Sequence, residues 1–343
     1  MANTPKILII YTGGTIGMVR DYETRALKAF DFDYIYENIP ELNHLNCDVE
    51  TVSFEDPIDS SNMNTGHWVQ IIDILEQYYD QKDGFVILTG SDTMSYTASA
   101  ISFMIEHLAK PVIFTGSQLP IGDLRTDAKE NLITAIQIAS ERDTLNKPVV
   151  TEVGLYFEYK LYRGNRTTKI NSEQFEAFTS PNYPPLGESG VHLKFNHELL
   201  LRPDTNKKPV FRKQLDNHIA LLKIFPGINS QFVQSVINTE GLKALILESY
   251  GSGNAPTESW FLNALKQAKE RGIHLVDITQ CTGGGVLMGQ YDTSVHLKEM
   301  GVIDGRDITT ESALAKMMYL LAVNIEDTGF KVVYETQLRG EMS

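Results

Sequence analysis

The sequence is poor in cysteine, has no surplus of positive charge and contains no long apolar run. Its two cysteines, Cys47 and Cys281, lie far apart and match neither a metal-ligand spacing nor a disulfide framework, so a reducing cytoplasm is the expected compartment. The net charge of −14, with no long basic cluster, would repel phosphate backbones and anionic lipid, which argues against nucleic acid and membrane as partners. No stretch approaches the roughly 20 apolar residues of a membrane-spanning helix. The run from Ile7 to Tyr11 is too short for the core of a secretory signal, and no small-residue cleavage site follows it. Phosphate-binding motifs are missing too: Gly13-Gly14-Thr15-Ile16-Gly17 does not fit G-x-G-x-x-G, and no G-x-x-x-x-G-K-[ST] occurs. There is no G-x-S-x-G elbow and no H-E-x-x-H pair, and neither a cofactor nor a metal is expected.

What the sequence does have is enough apolar material for a sizeable core, 42% of 343 residues, a length that favours two domains. Short apolar runs without polar alternation, Ile7 to Ile10, Phe85 to Leu88 and Val112 to Phe114, read as strands covered on both faces of a parallel sheet. Helical spacing follows the second run (Ala98, Ile101, Ile105, Leu108) and the third (Leu132, Ala135, Ile136, Ala139). Strand and helix alternating predicts an α/β fold. Residues 195–217 are polar and basic, with Pro203 and Pro209 and no period, and read as a linker. The expected organisation is therefore a larger N-terminal open α/β domain with a mostly parallel sheet over 1–194, that linker, and a smaller C-terminal α/β domain over 218–343. In the latter, "TESWFLNALKQAKERG" reads as a helix closed by Gly272.

The three apolar runs end alike, in Thr12-Gly13-Gly14-Thr15, Thr89-Gly90-Ser91 and Thr115-Gly116-Ser117. In an open parallel sheet, loops beyond the carboxyl ends of the strands converge where ligands bind. Glycine allows close backbone approach and exposes N–H groups to an anion or a developing oxyanion, and Thr15 and Ser91 would stand beside those donors. Turns alone do not require a hydroxyl each time.

With "YTGGTIGM" at 11–18, "TGSDTM" at 89–94, "TGSQLP" at 115–120, "YRGNRTTK" at 162–169 and "SYGSGNAP" at 249–256, the chain resembles the bacterial-type L-asparaginases, in particular their cytoplasmic type I branch. The resemblance implies a two-domain α/β fold, a homotetramer built as a dimer of dimers, and hydrolysis of L-asparagine by a hydroxyl nucleophile through an acyl-enzyme. By motif position it makes Thr15 the nucleophile, and Ser91, Asp92 and Lys169 a second catalytic group. Tyr22 corresponds to a tyrosine of the lid loop, although it comes somewhat early. Lys169 can act as a base only when uncharged, a form that desolvation favours and Asp92 opposes. Substrate contacts implied are Asp59, Ser60, Ser61, Asp92, Ser117 and, from the partner subunit, Asn254. Thr168, Glu248 and Cys281 occupy the positions of an effector site.

Departures from the family pattern are visible. Thr89 and Ser91 replace histidine and threonine of "HGTDT"; Ser91 keeps Oγ but loses the methyl that restricts χ1. Glu248 replaces an arginine associated with effector binding, and the C-terminal part offers no counterpart of an acidic residue that some relatives contribute across the interface. Other readings are a glutaminase, the amide-releasing subunit of a tRNA amidotransferase, and a non-catalytic amino-acid sensor on the same scaffold.

Overall fold

The structure, a computed structural model, describes every residue except 1–3, 21–26, 30–38, 205, 290–291, 324 and 326. The chain forms two compact units, Met1–Lys213 and Gln214–Ser343.

In the larger unit, β1 (Lys6–Gly13), β2 (Asp48–Ile58), β3 (Gly84–Leu88), β4 (Val112–Thr115), β5 (Val153–Phe157), β6 (Lys160–Arg163), β7 (Gly187–Ser189) and β8 (Leu193–Phe195) make one sheet in the order β8-β7-β6-β5-β4-β3-β1-β2. The five strands from β2 to β5 are parallel, and β6, β7 and β8 add antiparallel. Apolar runs without alternation account for the central strands: Ile7 to Ile10, Phe85 to Leu88 and Val112 to Phe114 are fully buried. Helices α1 (Thr65–Tyr78), α2 (Met94–Met104) and α3 (Ala128–Ser140) connect them. The spacing of Leu132, Ala135, Ile136 and Ala139 falls on α3, and all four are buried.

The helix expected to run through Ile105 and Leu108 ends earlier, at Met104. Ile105–Glu106 leaves it to pair antiparallel with Val210–Phe211, and His107 takes a positive φ of 57°. A ladder between segments distant in sequence thus overrides the helical period, as tertiary pairing can for a β-branched residue. The same pairing attaches part of segment 195–217 to the larger unit, which extends to Lys213.

The smaller unit has a four-stranded parallel sheet, β9 (Ile219–Lys223), β10 (Ala244–Ser249), β11 (His274–Thr279) and β12 (Ile303–Asp304), paired in that order. Helices α4 (Ser230–Ile237), α5 (Ser259–Glu270), α6 (Asp292–Glu299), α7 (Thr310–Ala322) and α8 (Asp327–Tyr334) complete it. Gly272, at φ +80°, closes α5: its N–H donates to Lys269 O (2.9 Å) and that of Ile273 to Ala268 O (3.1 Å), the paired bonds of a Schellman cap.

Two buried ionisable sites in this unit give measurable expectations. Lys316 on α7 and Glu341 are both fully buried and paired, and Lys316 Nζ also donates to Thr336 O (2.8 Å). Lys316→Met leaves the Glu341 carboxylate without its cation and is expected to cost about 3–5 kcal/mol in urea unfolding. On β11, burial pushes the Asp277 carboxyl up to about 7, with the nearby charge of Asp304 adding to the rise and Ser249 opposing it. A carboxyl raised above the ordinary range near 4 holds a proton in the folded chain that the unfolded chain releases. Its contribution is therefore complete below about pH 4 and is lost as pH rises to about 7. Asp277→Asn should raise the unfolding midpoint at pH 8 and flatten its fall between pH 4 and 7; an unchanged slope refutes this.

Candidate active site

Strands β1, β3 and β4 are adjacent and parallel, with Tyr11 opposite Leu88 and Leu88 opposite Thr115. Their carboxyl ends therefore emerge side by side, each into one of the threonine-glycine loops. Tertiary contact then draws the loops together. A Cβ on Gly14 would lie 2.3 Å from Gly90 N and 2.5 Å from Gly90 Cα; a Cβ on Gly90 would lie 2.5 Å from Ser60 Oγ; one on Gly116 would lie 2.4 Å from Thr89 O. At Gly14 and Gly116 the loops touch main chain to main chain, and at Gly90 main chain meets the Ser60 side chain, at distances only glycine allows. Gly14 also has φ +91°, in the region L side chains rarely adopt.

Thr15 follows directly, half-buried at the start of a 3₁₀ turn, Thr15–Gly17. Tyr11 supports this turn from below, its hydroxyl 3.4 Å from Gly14 O, and burial pushes that phenol up to about 12. Thr12 Oγ1 donates to Leu88 O (3.1 Å), tying β1 to β3. Ser60 and Ser61 lie in the short turn Ser60–Asn62, which Asp59 caps by accepting from Ser61 N (2.8 Å). That backbone bond holds the Asp59 carboxyl below its usual range. Thr93 Oγ1 donates to Ser60 O (2.8 Å), so the β3 loop clasps this turn as well.

Ser91–Thr93 forms a 3₁₀ turn leading straight into α2, which places Ser91 and Asp92 at a helix N-terminus whose first N–H groups have no intrahelical acceptor. Lys169 arrives from a separate two-stranded ribbon, Thr168–Lys169 paired with Phe178–Thr179. Its Nζ donates to Ser91 Oγ (2.8 Å) and Asp92 Oδ1 (2.7 Å). The lysine side chain is 16% exposed and that of Asp92 67%, so the carboxylate stays open to a second cation while the ammonium is largely enclosed. The three residues expected to act together, Ser91, Asp92 and Lys169, are thus in direct contact.

Ser117 is buried and turned into its own loop, donating to Leu119 O (2.6 Å). That loop is held by Asp127, which accepts from Gln118 N (2.9 Å) and Leu119 N (3.1 Å), and by Asn131, which donates to Gly116 O (3.0 Å). Thr93, Gln118, Asp127 and Asn131 are site-building residues the sequence did not disclose. Asp127 sits where a helix cap would be sought, yet makes no cap bond and serves the neighbouring loop instead. Tyr22 lies outside the described residues.

In the smaller unit, Asn254 ends a tight loop closed by Tyr250 N to Asn254 O (2.9 Å) and Asn254 N to Tyr250 O (2.8 Å). Glu248 on β10 is buried, paired with Lys223 Nζ (3.3 Å) and accepting from Thr310 Oγ1 (2.6 Å). Cys281 is an exposed free thiol, and Thr168 belongs to the larger unit. Among the described residues no group of three or more His, Cys, Asp or Glu could hold a metal ion, and no helix is long and apolar enough to cross a membrane.

The asparaginase N-terminal family model matches residues 6–201, and the glutaminase/asparaginase C-terminal domain model matches 218–331. The chain belongs to the asparaginase family. It is 41% identical to L-asparaginase 1 of Escherichia coli over 98% of both chains. It is also 37% identical to the mouse 60 kDa lysophospholipase, of which it covers 62%. Among solved structures, L-asparaginase I of Vibrio cholerae aligns with a TM-score of 0.89 at 38% identity, over 99% of this chain and 100% of that one. The thermostable L-asparaginase of Thermococcus kodakarensis gives 0.88 at 30% identity, over 98% and 99%. Both units share this two-domain asparaginase architecture.

Proposed function

We propose that the chain hydrolyses L-asparagine to L-aspartate and ammonia. The observation that carries this reading is the meeting of the Thr15 loop with the Ser91-Asp92-Lys169 group through the Gly14–Gly90 contact, in a chain 41% identical to a named L-asparaginase. Thr15 Oγ attacks the side-chain amide carbon, the C–N bond breaks as the leaving nitrogen takes a proton, and water then cleaves the acyl ester. The first N–H groups of the turn at Ser91, at the head of α2, are suited to hold the oxyanion. Asp92, two-thirds exposed, suits the α-ammonium, while Ser60 and Ser61, beside Asp59, suit the α-carboxylate. Ser117 is assigned to the substrate side and Tyr22, by motif position alone, to the catalytic group, and Asn254 comes from a partner subunit in a homotetramer, a dimer of dimers. The reaction needs no cofactor, and the cytoplasm suits a protein of two free thiols.

Glu248, internally satisfied by Lys223 and Thr310, puts a carboxylate where the family pattern has an arginine associated with effector binding, which disfavours an amino-acid effector. The kinetics should therefore be hyperbolic. The test is ammonia release from L-asparagine and L-glutamine over a concentration series. Release from asparagine supports the reading, faster release from glutamine moves it to a glutaminase, and binding without release replaces it with a sensor.

A further inference from the structure

Ser91 has a second partner beside Lys169. Its Oγ lies 3.0 Å from Gln118 Oε1, and Gln118 Nε2 lies 3.0 Å from Gln174 O. The donor inventory fixes the direction of every bond in this chain. A carbonyl oxygen only accepts, so the NH₂ group of Gln118 faces Gln174 and its oxygen faces Ser91; the flipped amide would set oxygen against oxygen. An ammonium only donates, so Ser91 Oγ accepts from Lys169 at 2.8 Å. The one proton on Ser91 therefore points to Gln118.

We propose that Gln118 is a positioning residue that holds the Ser91 hydroxyl as an acceptor toward Lys169, fixing its rotamer and the proton-bearing state of the pair. Serine in this place lacks the methyl group that would restrict χ1, and the amide of Gln118 supplies that restraint by a hydrogen bond. The loop carrying Gln118 is itself fixed, because Asp127 accepts from Gln118 N. In the resting state the pair Lys169-Ser91 is thus a source of protons. When the Ser91 O–H turns from Gln118 to the departing nitrogen it passes its proton on and takes one from Lys169, while the Thr15 hydroxyl proton lost on attack goes to water; the acyl ester, ammonia, a serine hydroxyl and a neutral amine remain, and Lys169 regains its proton from solvent. The inference rests on the asparaginase reading for its kinetic consequence alone.

Gln118 also lines a cavity of about 510 Å³, together with Arg125, Glu173, Gln174 and Phe175. This separates an acceptor role from a space-filling one. Gln118→Met keeps the volume and removes the acceptor. Gln118→Ala opens Ser91 to water from the cavity, and a bridging water replaces a direct hydrogen bond at little cost. The expected order of kcat is wild type, then Ala a few-fold lower, then Met roughly 10- to 100-fold lower, as for loss of one hydrogen bond in a charged chain. KM should stay within about twofold in both. A structural role gives the reverse order, with Ala worse than Met; that result, or Met equal to wild type, overturns the proposal. A readout independent of turnover is the NMR signal pair of the Gln118 side-chain amide, identified by its loss in Gln118→Met. It should shift in Ser91→Ala and stay in place in Thr15→Ala. An unmoved signal in Ser91→Ala sinks the inference even if asparagine is hydrolysed, whereas a shifted signal in a protein without hydrolysis sinks only the asparaginase reading.

Discussion

Thr15→Ala is expected to lower ammonia release from asparagine by about 10⁴-fold or more in kcat, the scale seen when a nucleophile acting as part of a catalytic unit is removed. The structure gives reasons for assigning the attack to Thr15. Ser91 is engaged on both sides, accepting from Lys169 and directing its proton to Gln118, so an attack by Ser91 would first have to break that chain. Thr15 stands on the adjoining loop, beyond the carboxyl end of β1 and beside the contact with Gly90. Acid quenching of the wild-type reaction and peptide mass spectrometry should place an aspartyl ester on the peptide containing Thr15 and none on that containing Ser91. An adduct on Ser91, with Thr15→Ala retaining turnover, would exchange the two roles.

Gly14→Ala should be nearly as damaging, and in stability as well as rate. The new methyl group would have to occupy space 2.3 Å from Gly90 N and 2.5 Å from Gly90 Cα, main-chain atoms that cannot rotate away, at a φ of +91°. Backbone strain and overpacking, each worth about 1–3 kcal/mol, add to roughly 2–6 kcal/mol, and the displaced loop takes Thr15 with it. Urea unfolding monitored beside ammonia release checks both effects. Gly190→Ala is the matched control: its Cβ meets nothing within 4 Å, and a change within about 0.5 kcal/mol is expected. Equal behaviour of the two variants would mean that the loop contact does not hold the site.

What could be read from the sequence follows from which forces act locally. The runs Ile7 to Ile10, Phe85 to Leu88 and Val112 to Phe114 announced buried parallel strands because apolar residues on both faces leave a continuous pattern. The threonine-glycine endings announced a site because loop chemistry is written in adjacent residues. The end of α2 at Met104 was invisible, since the ladder that unwinds it involves Val210–Phe211, about a hundred positions away. Ser91, Asp92 and Lys169 were assembled by resemblance rather than by pattern, for Lys169 lies 77 residues beyond Asp92. Gln118 left no signal: its backbone serves Asp127 and its side chain joins Ser91 to Gln174, three partners that meet only in the folded chain.

The contacts at Gly14 and Gly116 bear on how freely the loops can drift in sequence. Where main chain rests on main chain, the spacing of the hydroxyl-bearing residues is set by atoms that every amino acid possesses, and side chains inherit their positions from it. Exchanges such as threonine for histidine at Thr89, or serine for threonine at Ser91, then alter the decoration of the site without moving its frame. The glycines are the positions where such latitude ends. New substrate preferences are accordingly to be sought among Ser61 and Ser117, where a side chain can change while the scaffold stays still.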